Sequence, residues 1–252
     1  MTAEKTLQPA DSGKSQKSSN VPRSQTKKVL LFIVEGPTDE DSLAPVLKAL
    51  FEDTTVRFHV VHGDLTADGT THPGNPAEAV NRHIRREMSR YGFRRQDILQ
   101  VIHLIDTDGA FIPPENVVTA ETGRTSYCEN QILCKNPRDI QARNERKRAI
   151  VTRLRTFNAV GRIPYRMYYL SRNLEHALHG VRSRLTDDQK EEYADLFANR
   201  FENDPEAFPV YLQTGGFAVP GSYDETWDYI FEGTRSLERW SNLHLLFQDG
   251  PV

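Results

Sequence analysis

An α/β fold with a parallel sheet flanked by helices follows from three features of this sequence. Short apolar runs at 29–34, 56–61, 98–105 and 165–170 recur along the chain, and each is separated from the next by a segment with helix-start signals. The runs are mostly continuous rather than alternating, which is the pattern of strands buried on both faces. No two-residue turn joins them, so the connections are crossovers and the four strands lie parallel.

The first 26 residues are rich in Ser, Lys, Gln and Thr. They hold too little apolar surface to offset ordering entropy, and they are predicted to be a disordered polar leader. Val29-Leu30-Leu31-Phe32-Ile33-Val34 is the first strand. Glu35-Gly36-Pro37-Thr38 ends it, and Thr38 with Asp41 predicts an N-cap for a helix running to about Phe51. Val56 to Val61 forms the second strand, and Gly63 to Asn75 is a Gly- and Thr-rich loop. Pro76 suits the first turn of a helix reaching about Tyr91. Ile98 to Ile105 is the third strand, stopped by Asp106-Thr107-Asp108-Gly109. Ala110 to Pro137 is expected to be irregular, followed by a basic helix over 138–157. The fourth strand, 165–170, leads through Ser171-Arg172-Asn173 into a short helix ending at His179. Beyond Leu185 the pattern predicts helices only, at 187–200, 204–213, 222–232 and 235–246. The expected organisation is a leader at 1–26, an α/β domain at 27–182 and a helical extension at 183–252 packed on it.

Charge is distributed in blocks. Six arginines stand against Glu87 between Arg82 and Arg95, whereas twelve acids stand against Lys190 and Arg200 between Asp187 and Glu232. A net charge of −3 therefore conceals a local basic face. Cys128 and Cys134 match neither a zinc knuckle nor a redox pair, and two cysteines do not make a secreted disulfide framework. No apolar run approaches the roughly 20 residues that span a bilayer, and no secretory h-region opens the chain. A cytoplasmic location is the expectation.

Ligand crevices of open parallel sheets lie outside the carboxyl ends of the strands. Acids occupy three such ends: Glu35 after the first strand, Asp106 and Asp108 after the third, and Glu175 in the helix after the fourth. Asp39 stands one helical turn beyond Glu35. Any one of them could serve a helix dipole or a turn. Together they would repel one another unless a cation neutralised them, and hard oxygen ligands favour Mg²⁺ or Mn²⁺. His62 ends the second strand at the same edge and His176 neighbours Glu175, so both are candidates to touch the site. His59 and His103 read as packing residues within strands, as do Tyr165, Tyr168 and Tyr169, which could otherwise stack bases.

Val34-Glu35-Gly36 with Asp39, followed by Ile105-Asp106-Thr107-Asp108-Gly109 after a later strand, resembles the TOPRIM domain of topoisomerases, primases, OLD-type nucleases and ribosomal-RNA maturation nucleases. The resemblance covers about residues 28 to 180. It implies a carboxylate site for Mg²⁺ or Mn²⁺, with Glu35, Asp39, Asp106 and Asp108 catalytic and Glu175 a further metal ligand. It also implies a nuclease acting on DNA or RNA, with a phage-defence or mobile-element setting as an association. In that reading Arg82, Arg85, Arg86, Arg143, Arg146, Lys147, Arg148 and Arg172 bind backbone phosphates. The sequence departs from the pattern in two places. Ala110-Phe111-Ile112 follows the Asp-x-Asp where another acid or polar residue is usual, and no lysine adjoins Glu175 in sequence. No P-loop is present, so any ATP control would come from a partner ATPase. Two rival readings stand beside this one: a non-catalytic nucleic-acid or protein-binding module, and a dehalogenase-type phosphatase with Asp106 as nucleophile.

Overall fold

The structure, a computed structural model, describes residues 28–121 and 123–248. The leader expected at 1–26 lies outside the described residues.

Strand β1 (Val29–Val34) is buried at all six positions, as its unbroken apolar run requires. Helix α1 (Pro37–Leu50) follows at once. Its N-cap is Gly36 rather than the expected Thr38: Pro37 takes the first helical position, and Asp39 Oδ2 accepts a hydrogen bond from Gly36 N at 2.9 Å. A proline with fixed φ and no N–H suits N1, which moves the cap back by two residues. Strand β2 (Thr55–Val60), helix α2 (Pro76–Tyr91) and strand β3 (Ile98–Asp106) come next. The stretch expected to be irregular carries a small sheet of β4 (Val117–Thr119), β5 (Ser126–Tyr127) and β6 (Ile132–Cys134). Helix α3 (Pro137–Leu154), a two-residue strand β7 (Ala159–Val160) and strand β8 (Ile163–Leu170) complete the central layer.

The main sheet has the order β2-β1-β3-β8-β7. Its first four strands are mutually parallel, and β7 pairs antiparallel with β8. The expectation of four parallel strands is therefore corrected to a mixed five-stranded sheet, because the chain doubles back at Gly161 and Arg162, both at positive φ. From β1 the chain steps one way to β2, then returns past β1 to β3. This reversal makes the space beyond β1 and β3 a topological switch point, where ligands of such sheets bind.

Alternation along β1 divides the core. Leu30, Phe32 and Val34 face α1, while Val29, Leu31 and Ile33 face α2 and α3. After β8 come α4 (Leu174–His179), α5 (Asp187–Arg200), α6 (Ala207–Thr214), α7 (Tyr223–Ile230) and α8 (Leu245–Gln248). This C-terminal chain feeds both cores: Phe197, Phe201 and Phe208 join the α1 side, and Trp227 and Ile230 join the other. Trp227 stacks edge-on against Tyr169 with ring centroids 4.8 Å apart. The helix expected over 235–246 is absent. In its place are a single 3-10 turn, Arg235–Leu237, and an extended stretch in which Ser241 bridges Leu170 and Ala218. Asn242 Oδ1 accepts from Tyr169 N at 2.9 Å, so this segment is held by the sheet it covers. Among the described residues no helix is long and apolar enough to cross a membrane.

Candidate metal centre

Glu35 leaves β1 and Asp106 ends β3, the adjacent parallel strand, so the two acids emerge at the same edge of the sheet. Asp106 N donates to Glu35 Oε1 at 3.2 Å. Thr107 then ties the ends of β3 and β8 together. Its amide donates to Leu170 O at 2.9 Å, and its hydroxyl accepts from Arg172 N at 2.8 Å while donating to Ser236 O at 3.0 Å. Asp108 and Arg172 both hold left-handed backbone, φ 49° and 58°, and Asp108 N donates to Arg172 O at 3.0 Å. Non-glycine residues at positive φ are uncommon, and this pair turns both side chains away from the strand direction. Gly109, at φ 62°, must lack a side chain because a Cβ would lie 2.3 Å from Leu237 Cδ2.

A carboxylate that the sequence reading passed over completes the group. Asp64 lies in the loop after β2, and ligand oxygens of Glu35, Asp64 and Asp108 all fall within 4.8 Å of one another. An Asx-type turn fixes Asp64, whose Oδ1 accepts from Thr66 N at 2.8 Å and Ala67 N at 3.0 Å. The signal was available: an acid shortly after the second strand is the same strand-end pattern applied to the one strand left out.

Lys147 stands among these three acids. Its ammonium is 2.7 Å from Asp64 Oδ2, 2.9 Å from Asp108 Oδ2 and 3.8 Å from Glu35 Oε1, and the side chain is fully buried. It does not face solvent as a phosphate-binding lysine would. Asn144, Lys147, Val151 and Leu154 line the inner side of α3, whereas Arg146 and Arg148 point outward. Burial alone would lower the Lys147 pKa, but Asp108, Glu35 and Asp64 push it well above its ordinary value. Burial alone would raise Asp64, but Lys147 and the turn hydrogen bonds hold it below the usual range.

The remaining acids behave oppositely. Burial, then the charges of neighbouring carboxylates, raises Asp106 well above the ordinary range. Glu35 is raised too, by burial first, with Lys147 only partly offsetting it. Asp39 is lifted to about 6 by burial, with Glu175 adding to the rise and Gly36 N opposing it. Glu175 is buried on α4 and pairs with Lys190 of α5 at 3.6 Å. A lysine thus does adjoin Glu175, brought from the C-terminal helices. Among the described residues six carboxylates stand at this edge, and Lys147, Lys190 and the Arg143 guanidinium are the cations beside them. All donors are carboxylate oxygens, the hard ligands of Mg²⁺ and Mn²⁺, and a cation would relieve the raised proton affinity of Glu35, Asp39 and Asp106.

The other candidates are distributed around this centre. His62 is exposed and lines a groove with Pro37 and Arg86, apart from the carboxylates. His176 is buried, with its Nδ1 3.4 Å from Ser171 O, and burial lowers its pKa to about 4, so it is neutral. His59 contacts Glu87 at 2.7 Å and His83 at 2.8 Å, and His103 contacts the Tyr165 hydroxyl at 2.8 Å. Tyr165, Tyr168 and Tyr169 are all buried in the cores, where no base can stack on them. Arg82, Arg85 and Arg86 are exposed on α2, as is Arg146 on α3. Arg143 is committed to Asp108 O at 3.0 Å and the Tyr127 hydroxyl at 3.0 Å, and Arg148 to Phe111 O and Phe231 O.

A scan against protein-family models, a search of curated proteins and a search of solved structures each returned no match.

Proposed function

We propose that this chain is a divalent-metal-dependent nuclease that hydrolyses phosphodiester bonds at the carboxylate edge beyond β1 and β3, with a TOPRIM-like site. The observation that carries this reading is the convergence of Glu35, Asp64 and Asp108, whose ligand oxygens lie within 4.8 Å of one another at a topological switch point, with Asp39, Asp106 and Glu175 buried beside them. Glu35, Asp64 and Asp108 would hold one Mg²⁺ or Mn²⁺, with Asp106 and Asp39 beside them. Bound there, the cation would lower the pKa of water and stabilise charge developing on the phosphate. Lys190, beside Glu175 and partly exposed, would neutralise charge on the phosphate. Lys147, hydrogen-bonded to Asp64 and Asp108, would orient those carboxylates.

The test is cleavage of supercoiled plasmid and of structured RNA with Mg²⁺ or Mn²⁺, comparing the wild type with Asp106→Ala. Metal-dependent cutting by the wild type, with the variant slower by about 1000-fold, is the expected result. Cutting that survives in the variant, or none by the wild type with metal bound, would overturn the reading. A second reading, a binding module without catalysis, is favoured by Lys147 alone, since its ammonium already supplies a cation to Asp64 and Asp108. Nucleic-acid binding without turnover, unchanged by Asp106→Ala, would select it.

A further inference from the structure

Beside Glu175 the chain encloses a cavity of about 550 Å³, between β5 and the segment 181–187 that leads into α5. Its wall carries Arg124, Arg172, Arg182, Arg184 and Lys190, against only Glu175 and Asp187 among acids. Arg172 anchors the inner side. Its left-handed backbone, pinned through Thr107 and Asp108, swings the side chain off the end of β8, and its guanidinium lies over the Tyr127 ring at 5.6 Å. From there Arg172 Nη2 donates to Arg182 O at 3.0 Å, bracing the opposite wall. Among the described residues, the Arg182 side chain meets Glu129 at 3.7 Å, an exposed pair that contributes little.

We propose that this cavity takes the phosphates of a single nucleic-acid strand next to the bond to be cut, with the Arg172–Tyr127 pair as its inner wall. The proposal rests on the nuclease reading for the identity of the strand and adds the path by which it reaches Glu175 and Lys190. The cavity is of small-ligand size, so it admits a strand and excludes a duplex. Arginine and an aromatic ring side by side are the combination that binds single strands without reading sequence. The Arg-rich blocks of the sequence drew attention to α2 and α3. These cations come instead from scattered positions that the fold brings together.

The experiment measures binding of a short fluorescent single-stranded oligonucleotide, with Ca²⁺ replacing Mg²⁺ to hold back cleavage. Arg182→Gln/Arg184→Gln removes two exposed charges from the cavity. Arg153→Gln/Arg162→Gln removes two exposed charges elsewhere and controls for net charge. The cavity variant is expected to bind at least about 10-fold more weakly, with the salt dependence shallower by about 1.4 in the log–log slope. The control should stay within about twofold of wild type. Equal affinity in the cavity variant, an equal loss in the control, or no strand binding by the wild type would each overturn the proposal. Mg²⁺-dependent cleavage by the wild type, measured in parallel, separates the two ideas. Cutting with unaltered binding by the cavity variant sinks only the cavity. Selective loss of binding with no cutting sinks only the nuclease.

Discussion

Two lysines bracket the carboxylate edge, and they differ in nearly everything except charge. Lys147 rises from the middle of α3, is fully buried and bonds two carboxylates directly. Lys190 comes from the first turns of α5, keeps about a third of its side-chain surface exposed and meets a single acid at 3.6 Å. The first is a fixed counter-ion built into the core. The second is a solvent-facing cation with room to follow a ligand. A buried ion pair is costly to form and costlier to break, because removing one partner strands the others without compensation. A buried charge and a solvent-facing one therefore lie at two ends of one row of acids, and burial tells them apart.

The largest expected effect is on the buried end. Lys147→Met should cost about 3–5 kcal/mol of folding stability in metal-free protein, read by urea unfolding. Near wild-type stability in the variant would show that the acids do not need Lys147. Next in size is the response to metal. Mn²⁺ at about 100 times its dissociation constant should stabilise the wild type by about 2.7 kcal/mol at pH 7.5. The gain should shrink at pH 5, where protons compete for Asp39 and Asp106. Equal stabilisation of the wild type and Asp106→Asn would place the metal elsewhere.

Proton linkage gives a smaller effect of opposite sign at the two ends. The Asp39 carboxyl is raised from 3.8 to about 6, so its favourable contribution is fully present below 3.8 and disappears as pH rises through 6. Metal-free protein should lose about 1–2 kcal/mol from this group between pH 5 and pH 7.5. Asp64 is lowered, so its contribution is present above 3.8 and is lost as pH falls through its depressed value. Chelated protein should therefore be most stable at mildly acid pH, and a maximum above pH 7 would contradict the raised acids. Smallest of all is Lys190→Gln, expected to change stability by about 1 kcal/mol because the lysine is partly exposed and 3.6 Å from the buried Glu175. Its cleavage rate should nonetheless fall by about 100-fold, as expected when a charge-stabilising donor is removed. A variant that loses stability and keeps its rate would reverse the roles assigned to the two lysines.

Much of the central sheet is legible because β1, β3 and β8 are apolar runs buried on both faces, which have few alternative structures. The small sheet was not legible, since strands of two or three residues are too short for any periodicity to show. Between 235 and 246 the spacing of Leu237, Trp240 and Leu243 imitates a helix, yet Ser241 and Asn242 spend their polar groups on the edge of the sheet. Glu35, Asp106 and Asp108 could be placed together from strand ends alone. Lys147 could not be read correctly from its basic neighbours, because consecutive helix residues face different directions. Its register with Val151 and Leu154 was the informative signal. Lys190 of α5 comes beside Glu175, and Arg182 of the segment before α5 comes to the adjoining cavity, through tertiary packing that no local pattern encodes.

The most direct test of the proposed centre is Mn²⁺ binding followed by electron paramagnetic resonance at pH 7.5. Saturable binding by the wild type, weakened at least about 10-fold in Glu35→Gln and in Asp106→Asn, is the expected result. A wild-type protein that binds no Mn²⁺ while its fold is intact would contradict it, leaving Lys147 as the only cation the Asp64 and Asp108 carboxylates hold.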